Sequence, residues 1–228
     1  MKTTFVFIIA LVTTFYSCEN NEVKTVGSSI TNDGILSGVI VNTSNSVDSI
    51  KIFADSIVTQ FGYQVVSFGK MIGKSTVSSD GKFSVALETP LLSKIKAYPI
   101  GVNVSDTTAM TGSVHYFNIF AYKGGECTGK IYDSNEPSYT YLSRGWSVSL
   151  YMYSDRPYTM IGTEEHTYWQ RVGYYLTIKT NYNLTFIKGW NEFVLKEGSY
   201  SETASTSLQV ETYSNRVTSD LHWRYFPN

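Results

Sequence analysis

Asp80-Gly81 stands between two runs in which apolar and polar residues alternate, and this arrangement limits the fold more than any other stretch of the chain. An Asp-Gly pair supplies the positive backbone torsions that a tight β-turn needs. Beyond it Phe83, Val85 and Leu87 fall on one side of an extended backbone. Thr89-Pro90 ends the run, because proline has no N–H to give to a ladder. The same period of two recurs in Ser49–Asp55, where Ile50, Ile52 and Ala54 share a face. No window of useful length carries the 3.6-residue period of an amphipathic helix.

Composition points the same way. Charged residues make up 16% of the 228, against about 25% in ordinary globular chains. Aromatic residues reach 15%, with 18 tyrosines. Few charges beside abundant Tyr, Thr, Ser and Val favour strands, and the expectation is an all-β protein. Strands are predicted at Ile35–Val41, Ser49–Asp55, Tyr63–Phe68 and Met71–Val77, and in the run after Gly81. Further on they are predicted within Ser113–Tyr122 and at Cys127–Tyr132, Ser147–Tyr153, Tyr158–Ile161, Tyr168–Lys179, Leu184–Ile187, Glu192–Lys196 and Ser205–Tyr213. Pro99–Gly112 is rich in turn formers and reads as a boundary, giving two β-sandwich domains in tandem, 34–100 and 112–228, the second a sandwich or jelly-roll.

Within the first of these, Gly38-Val39-Ile40-Val41, the strand Ile50–Phe53 and the stretch Thr76–Leu87 resemble the transthyretin-like (carboxypeptidase-regulatory-like) β-sandwich. That resemblance covers about a third of the chain and implies a spacer or interaction module with no chemistry of its own.

The N-terminus sets the expected compartment. Met1-Lys2 followed by the apolar run Phe5–Val12 has the form of a secretory leader, too short for the roughly 20 apolar residues of a membrane-spanning helix. Phe15-Tyr16-Ser17-Cys18 resembles the lipobox of Bacteroidota-type lipoproteins, departing from the usual pattern at Phe15 and Tyr16. The resemblance implies a signal peptide over 1–17, lipid attachment at Cys18 and an anchor and tether over 18–33. Glu19-Asn20-Asn21-Glu22 is similar to the acidic export signal of such proteins, which implies outer-membrane anchoring with display at the cell surface. The chain has two cysteines, Cys18 and Cys127. Acylation of Cys18 would leave Cys127 alone and read as a small buried hydrophobe; a Cys18–Cys127 bridge is the alternative.

Catalytic signatures are sparse. The formal net charge of −1 and the absence of a basic run give no footprint for nucleic acid. Gly69-Lys70-Met71-Ile72-Gly73-Lys74-Ser75 misses the phosphate-binding loop by one residue and precedes a strand, so no nucleotide is expected. No nucleophile elbow and no His-Glu-x-x-His helix occurs. Glu164-Glu165-His166 is the only acid–histidine cluster and reads as a surface turn; on a strand its members would face opposite ways. No cofactor is expected, and calcium has one weak candidate in the oxygen-rich turn Asp133, Asn135, Glu136.

The aromatics are the remaining asset. Trp146, Trp169, Trp190, Tyr151 and Tyr153 are the candidate ligand platforms, with core packing as the other use of each. Arg144-Gly145-Trp146-Ser147 and Lys188-Gly189-Trp190-Asn191 echo each other, a basic residue, glycine and tryptophan opening a predicted strand. The function expected is non-catalytic binding or adhesion at the cell surface, toward a glycan or a surface protein partner. A structural role in a surface complex is the alternative. A glycosidase or lyase would need two carboxylates about 5 to 9.5 Å apart, drawn from Glu164, Glu165, Glu192, Glu197, Glu202 and Glu211.

Overall fold

A computed structural model describes residues 29–41, 46–54, 57–58, 65–67, 69–94, 101–114, 119–135, 145–171, 173–215 and 221–227. Their regular structure is all strand. In chain order these are β1 (Ile35–Val39), β2 (Ser49–Phe53), β3 (Ile57–Val58), β4 (Val65–Ser67), β5 (Met71–Thr76) and β6 (Lys82–Ala86). Then come β7 (Ser93–Lys94), β8 (Val102–Val104), β9 (Met110–Val114), β10 (Ile119–Lys123), β11 (Glu126–Ser134) and β12 (Ser147–Ser154). The last five are β13 (Tyr158–Arg171), β14 (Tyr174–Phe186), β15 (Gly189–Glu202), β16 (Thr206–Asn215) and β17 (His222–Pro227).

One 13-stranded sheet dominates, running β5-β2-β10-β11-β12-β15-β16-β14-β13-β8, with β17 beside β11, β9 beside β12 and β7 beside β9. All its pairs are antiparallel except β14 with β16. β1 and β6 form a separate two-stranded layer, and β3 pairs with β4. Opposite faces of the large sheet build two cores. The first gathers Ile50, Ile52, Ile72, Ile119, Ile131, Tyr151, Trp190 and Trp223 under Leu36, Phe83 and Val85 of the β1–β6 layer. The second forms where the sheet curls, so that Val148 and Leu150 of β12 and Phe193 and Leu195 of β15 meet Tyr158, Leu184 and Phe186.

The turn at Asp80-Gly81 is present, with Gly81 at φ 81° and Ser78 N–H donating to Lys82 O at 2.9 Å. Its arms do not pair as a ladder. β5 stays with β2 and β6 leaves to pair with β1, so the turn is a corner between two layers. The physical reason is burial. β6 alternates buried Phe83 and Val85 with exposed neighbours, and stacking that face over Ile72 of β5 covers both, which in-plane pairing would not.

The segment expected to divide the chain into domains is woven into the sheet: β8 forms an edge on β13, and β9 pairs with β12. Nor do the first-half strands close by themselves. β2 pairs with β10, and Ile40 bridges to Trp223 of β17. β1, β2, β5 and β6 supply only two strands to each layer, too few to stand alone, and later strands complete both. The strand expected over Tyr168–Lys179 is two, since the chain reverses between Arg171 and Tyr174 through Gly173 at φ 73°. Glu164-Glu165-His166 lies in mid-strand on β13 rather than in a turn. Met71–Thr76 is a strand with no helix after it, which removes the phosphate-loop geometry. Cys127 is exposed on β11, correcting the expectation of a buried residue.

Candidate functional site

Alternation along β13, β14, β15 and β16 sorts their side chains onto an inner face, toward the second core, and an outer face. Register then fixes the rows. On the inner face Glu164 lies opposite Thr180, Thr180 opposite Glu211, and Glu211 opposite Glu197, one row across four strands. The next row holds Tyr182 and Tyr213, their rings stacked at 5.3 Å. Trp146 borders the row beyond Glu197, whose N–H donates to Trp146 O at 2.8 Å. Three of the six candidate glutamates are thus brought to one surface, beside one of the candidate tryptophans.

The row is not uniform. Glu164 accepts a hydrogen bond from the Tyr182 hydroxyl and lies 3.0 Å from His166 Nε2. Residues two apart on a strand share a face, so Glu164 and His166 meet while Glu165 points away. Glu211 accepts from Gln209 Nε2 at 2.8 Å. Glu197 is 3% exposed, and its Oε2 has no hydrogen-bond partner. Burial, reinforced by the charge of Glu211, holds the Glu197 carboxyl above its ordinary value. Glu211 is raised chiefly by burial and also by Glu164, against the Gln209 hydrogen bond. Burial pushes Tyr182 and Tyr213 up as well, with Glu164 adding to the first and Glu211 to the second. Toward the hairpin tip, the Tyr174 hydroxyl donates to Glu202 at 2.6 Å, which lifts it to about 12.

The outer face carries a different surface. Trp169 is 64% exposed and sits opposite Tyr175, at 47%, across the β13–β14 pair. Leu208 of β16, also exposed, lies diagonal to Tyr175. Thr167 and Thr177 join hydroxyls at 3.0 Å beside them, and Glu165 and Lys179 form the next pair on this face. An apolar patch edged by hydroxyls and charges results.

The other candidate aromatics sit elsewhere. Trp190 and Tyr151 are 2% and 1% exposed and belong to the first core, which removes them as platforms. Tyr153 is half-buried with its ring at 81° to Trp190, and Trp146 is half-buried against the second core. Both echoing Gly-Trp turns are glycine turns of one hand, Gly145 at φ 92° and Gly189 at φ 101°. Each is held by an asparagine. Asn135 accepts from Ser147 N–H and donates to Gly145 O, and Asn191 clasps Ile187 and Gly189. Asn135 of the calcium candidate is therefore engaged in its turn. Asp133 is buried against Ser149 at 3.1 Å, on the first-core side. Ser149 also reaches Glu192 at 2.7 Å, and Glu192 takes the Ser29 N–H at 2.8 Å, a clasp on the incoming chain. Glu136, Cys18, His115 and the leader lie outside the described residues. Among the described residues no three His, Cys, Asp or Glu side chains converge as a metal centre.

The outer patch is hidden in the sequence because Tyr168–Lys179 reads as one strand, which conceals the pairing of Trp169 with Tyr175. The inner row had a signal in the spacings Glu164-x-His166 and Gln209-x-Glu211-x-Tyr213, a period of two that survives without apolar residues. Searches against models of protein families, against characterised proteins and against solved structures find no match to this chain.

Proposed function

We propose that this is a non-catalytic binding protein of the cell envelope, tethered through Cys18, which meets a glycan with the outer face of the β13–β14 hairpin. The observation that carries the reading is the exposed cross-strand pair Trp169 and Tyr175. Aromatic faces stack on the apolar faces of sugar rings, and the hydroxyls of Thr167 and Thr177 with the charges of Glu165 and Lys179 lie where ring hydroxyls would reach. In this reading the transthyretin-like region, 34–100, is a base and 112–228 is the recognition lobe, both contributing strands to one sheet. In this reading the inner-row carboxylates have no part in hydrolysis, and the burial of Glu197 at 3% exposure supports that. An array of glycans probed with the full chain tests the proposal. Specific binding that is lost in folded Trp169→Ala and weakened in Tyr175→Ala is the expected result. Binding untouched by either substitution, or no binding to any glycan, refutes it.

A further inference from the structure

The outer patch leaves the inner row unused, and that row contains an electrostatic problem. Glu197 and Glu211 oppose each other on neighbouring strands, where Cβ atoms lie only about 5 Å apart. Two like charges at that spacing repel, and a buried carboxylate oxygen without a partner is costly. The described cations of these strands do not relieve it. Lys179 and Lys196 alternate onto the outer face, and His166 is engaged with Glu164 at the far end of the row. Gln209 and Tyr213 flank Glu211 on its own strand, Thr180 and Tyr182 face it from β14, and Trp146 borders Glu197.

We propose that Glu197 and Glu211, with the side-chain oxygen of Gln209, hold a hard divalent cation of the calcium type on the inner face of the sheet. The second observation behind this, beyond the cluster of acids, is the Glu197 Oε2 atom, buried without any hydrogen-bond partner on the face it shares with Glu211. Gln209 already orients Glu211 by donating its amide N–H, and the same amide carries a neutral oxygen of the kind calcium accepts. Two carboxylates, one or two neutral oxygens and water make an open site, so the dissociation constant belongs to the weak class of about 10⁻⁴–10⁻³ M. Glu164 is a neighbour in the row and not a ligand, since Tyr182 and His166 hold its oxygens. Cation binding here is independent of the glycan reading, and either can fail without the other.

The test is thermal unfolding of the full chain at neutral pH after chelator treatment, with millimolar calcium chloride, with magnesium chloride, and with sodium chloride at matched ionic strength. Calcium raises Tm by about 3 °C at ten times its Kd, and sodium chloride does not. Glu197→Gln abolishes the calcium response while raising the calcium-free Tm, because it removes the repulsion. Glu211→Gln provides the same test should the first variant fold poorly. Terbium luminescence excited through tryptophan supplies a readout independent of stability: emission appears with the wild-type chain, is displaced by calcium and drops in Trp146→Phe. No calcium shift and no terbium emission, or a calcium shift that persists in both glutamine variants, overturns the proposal.

Discussion

Replacing Gly38 by alanine should destabilise this protein by about 3 kcal/mol, near the top of the range for overpacking, although the position has no unusual backbone torsion. A Cβ at Gly38 would lie 2.2 Å from Cδ1 and 2.3 Å from Nε1 of Trp223. Carbon atoms in contact sit about 3.5–4.0 Å apart, so the indole would have to move by more than about 1 Å. It has nowhere to go. Phe83, the cross-strand partner of Gly38, meets the indole edge-on at 5.0 Å, and Tyr151 lies parallel to it at 6.2 Å. The Trp223 backbone is fixed too, its carbonyl accepting from Val41 N–H at 2.9 Å. Urea unfolding followed by tryptophan fluorescence measures the loss, and in a chain of this size the same change lowers Tm by about 8 °C. Combining Gly38→Ala with Trp223→Phe should recover some of it, a favourable coupling in a double-mutant cycle. A loss below about 0.5 kcal/mol, or strictly additive substitutions, would refute the idea that Gly38 exists to seat this ring.

Burial separates the tryptophans in the same way: Trp190→Ala should cost about 3–5 kcal/mol, and Trp169→Ala less than about 0.5 kcal/mol, read from denaturant midpoints. Asn191→Ala should cost about 2 kcal/mol, because the buried amide closes the Gly189 turn on Ile187 N–H and O; hydrogen exchange at Ile187 would report its opening. Stability should also depend on pH through the inner row. The Glu197 and Glu211 carboxyls are raised above 4.5 in the folded chain, so their contribution is complete below about that pH and is lost as pH rises through the folded values. Chelator-treated protein should therefore melt at a lower temperature near pH 7 than near pH 5, and Glu197→Gln should flatten that slope; Glu164, His166, Tyr182 and Tyr213 face the same row and are left intact.

Local pattern makes elements legible in the sequence and goes no further. Ile50, Ile52, Phe83 and Val85 announce their faces, and the structure buries all four. The Asp80-Gly81 turn was legible because its torsions are a property of two residues. Which strand β6 would pair with was not, since the choice of β1 over β5 depends on Leu36, a residue distant in sequence, joining β6 in the layer that covers Ile72. The long strands β13, β14 and β15 fragmented into short predictions for another reason. Along the middle of β13 and β14 and the second half of β15, Thr, Glu, Lys and Tyr replace the apolar residues that mark the strand ends, so the apolar alternation fades while the pairing continues. Trp169 and Trp190 look alike in sequence, each preceding a polar residue. What distinguishes them is that Gly34 opens room for the Trp190 indole, whose Cδ1 would lie 2.6 Å from a Cβ placed there.

The late position of β17 has a consequence in time. Trp223 and Tyr225 belong to the first core, whose other members begin at Ile30, so that core cannot close until almost all of these residues have left the ribosome. Until then Leu36, Ile50, Ile52 and Phe83 lack the ring that fills the space between their layers. The second core, whose buried members run from Val104 to Leu195, carries no such dependence on β17. A premature stop before Leu221 would therefore spoil the packing of Leu36 and Phe83, among the earliest of these residues made.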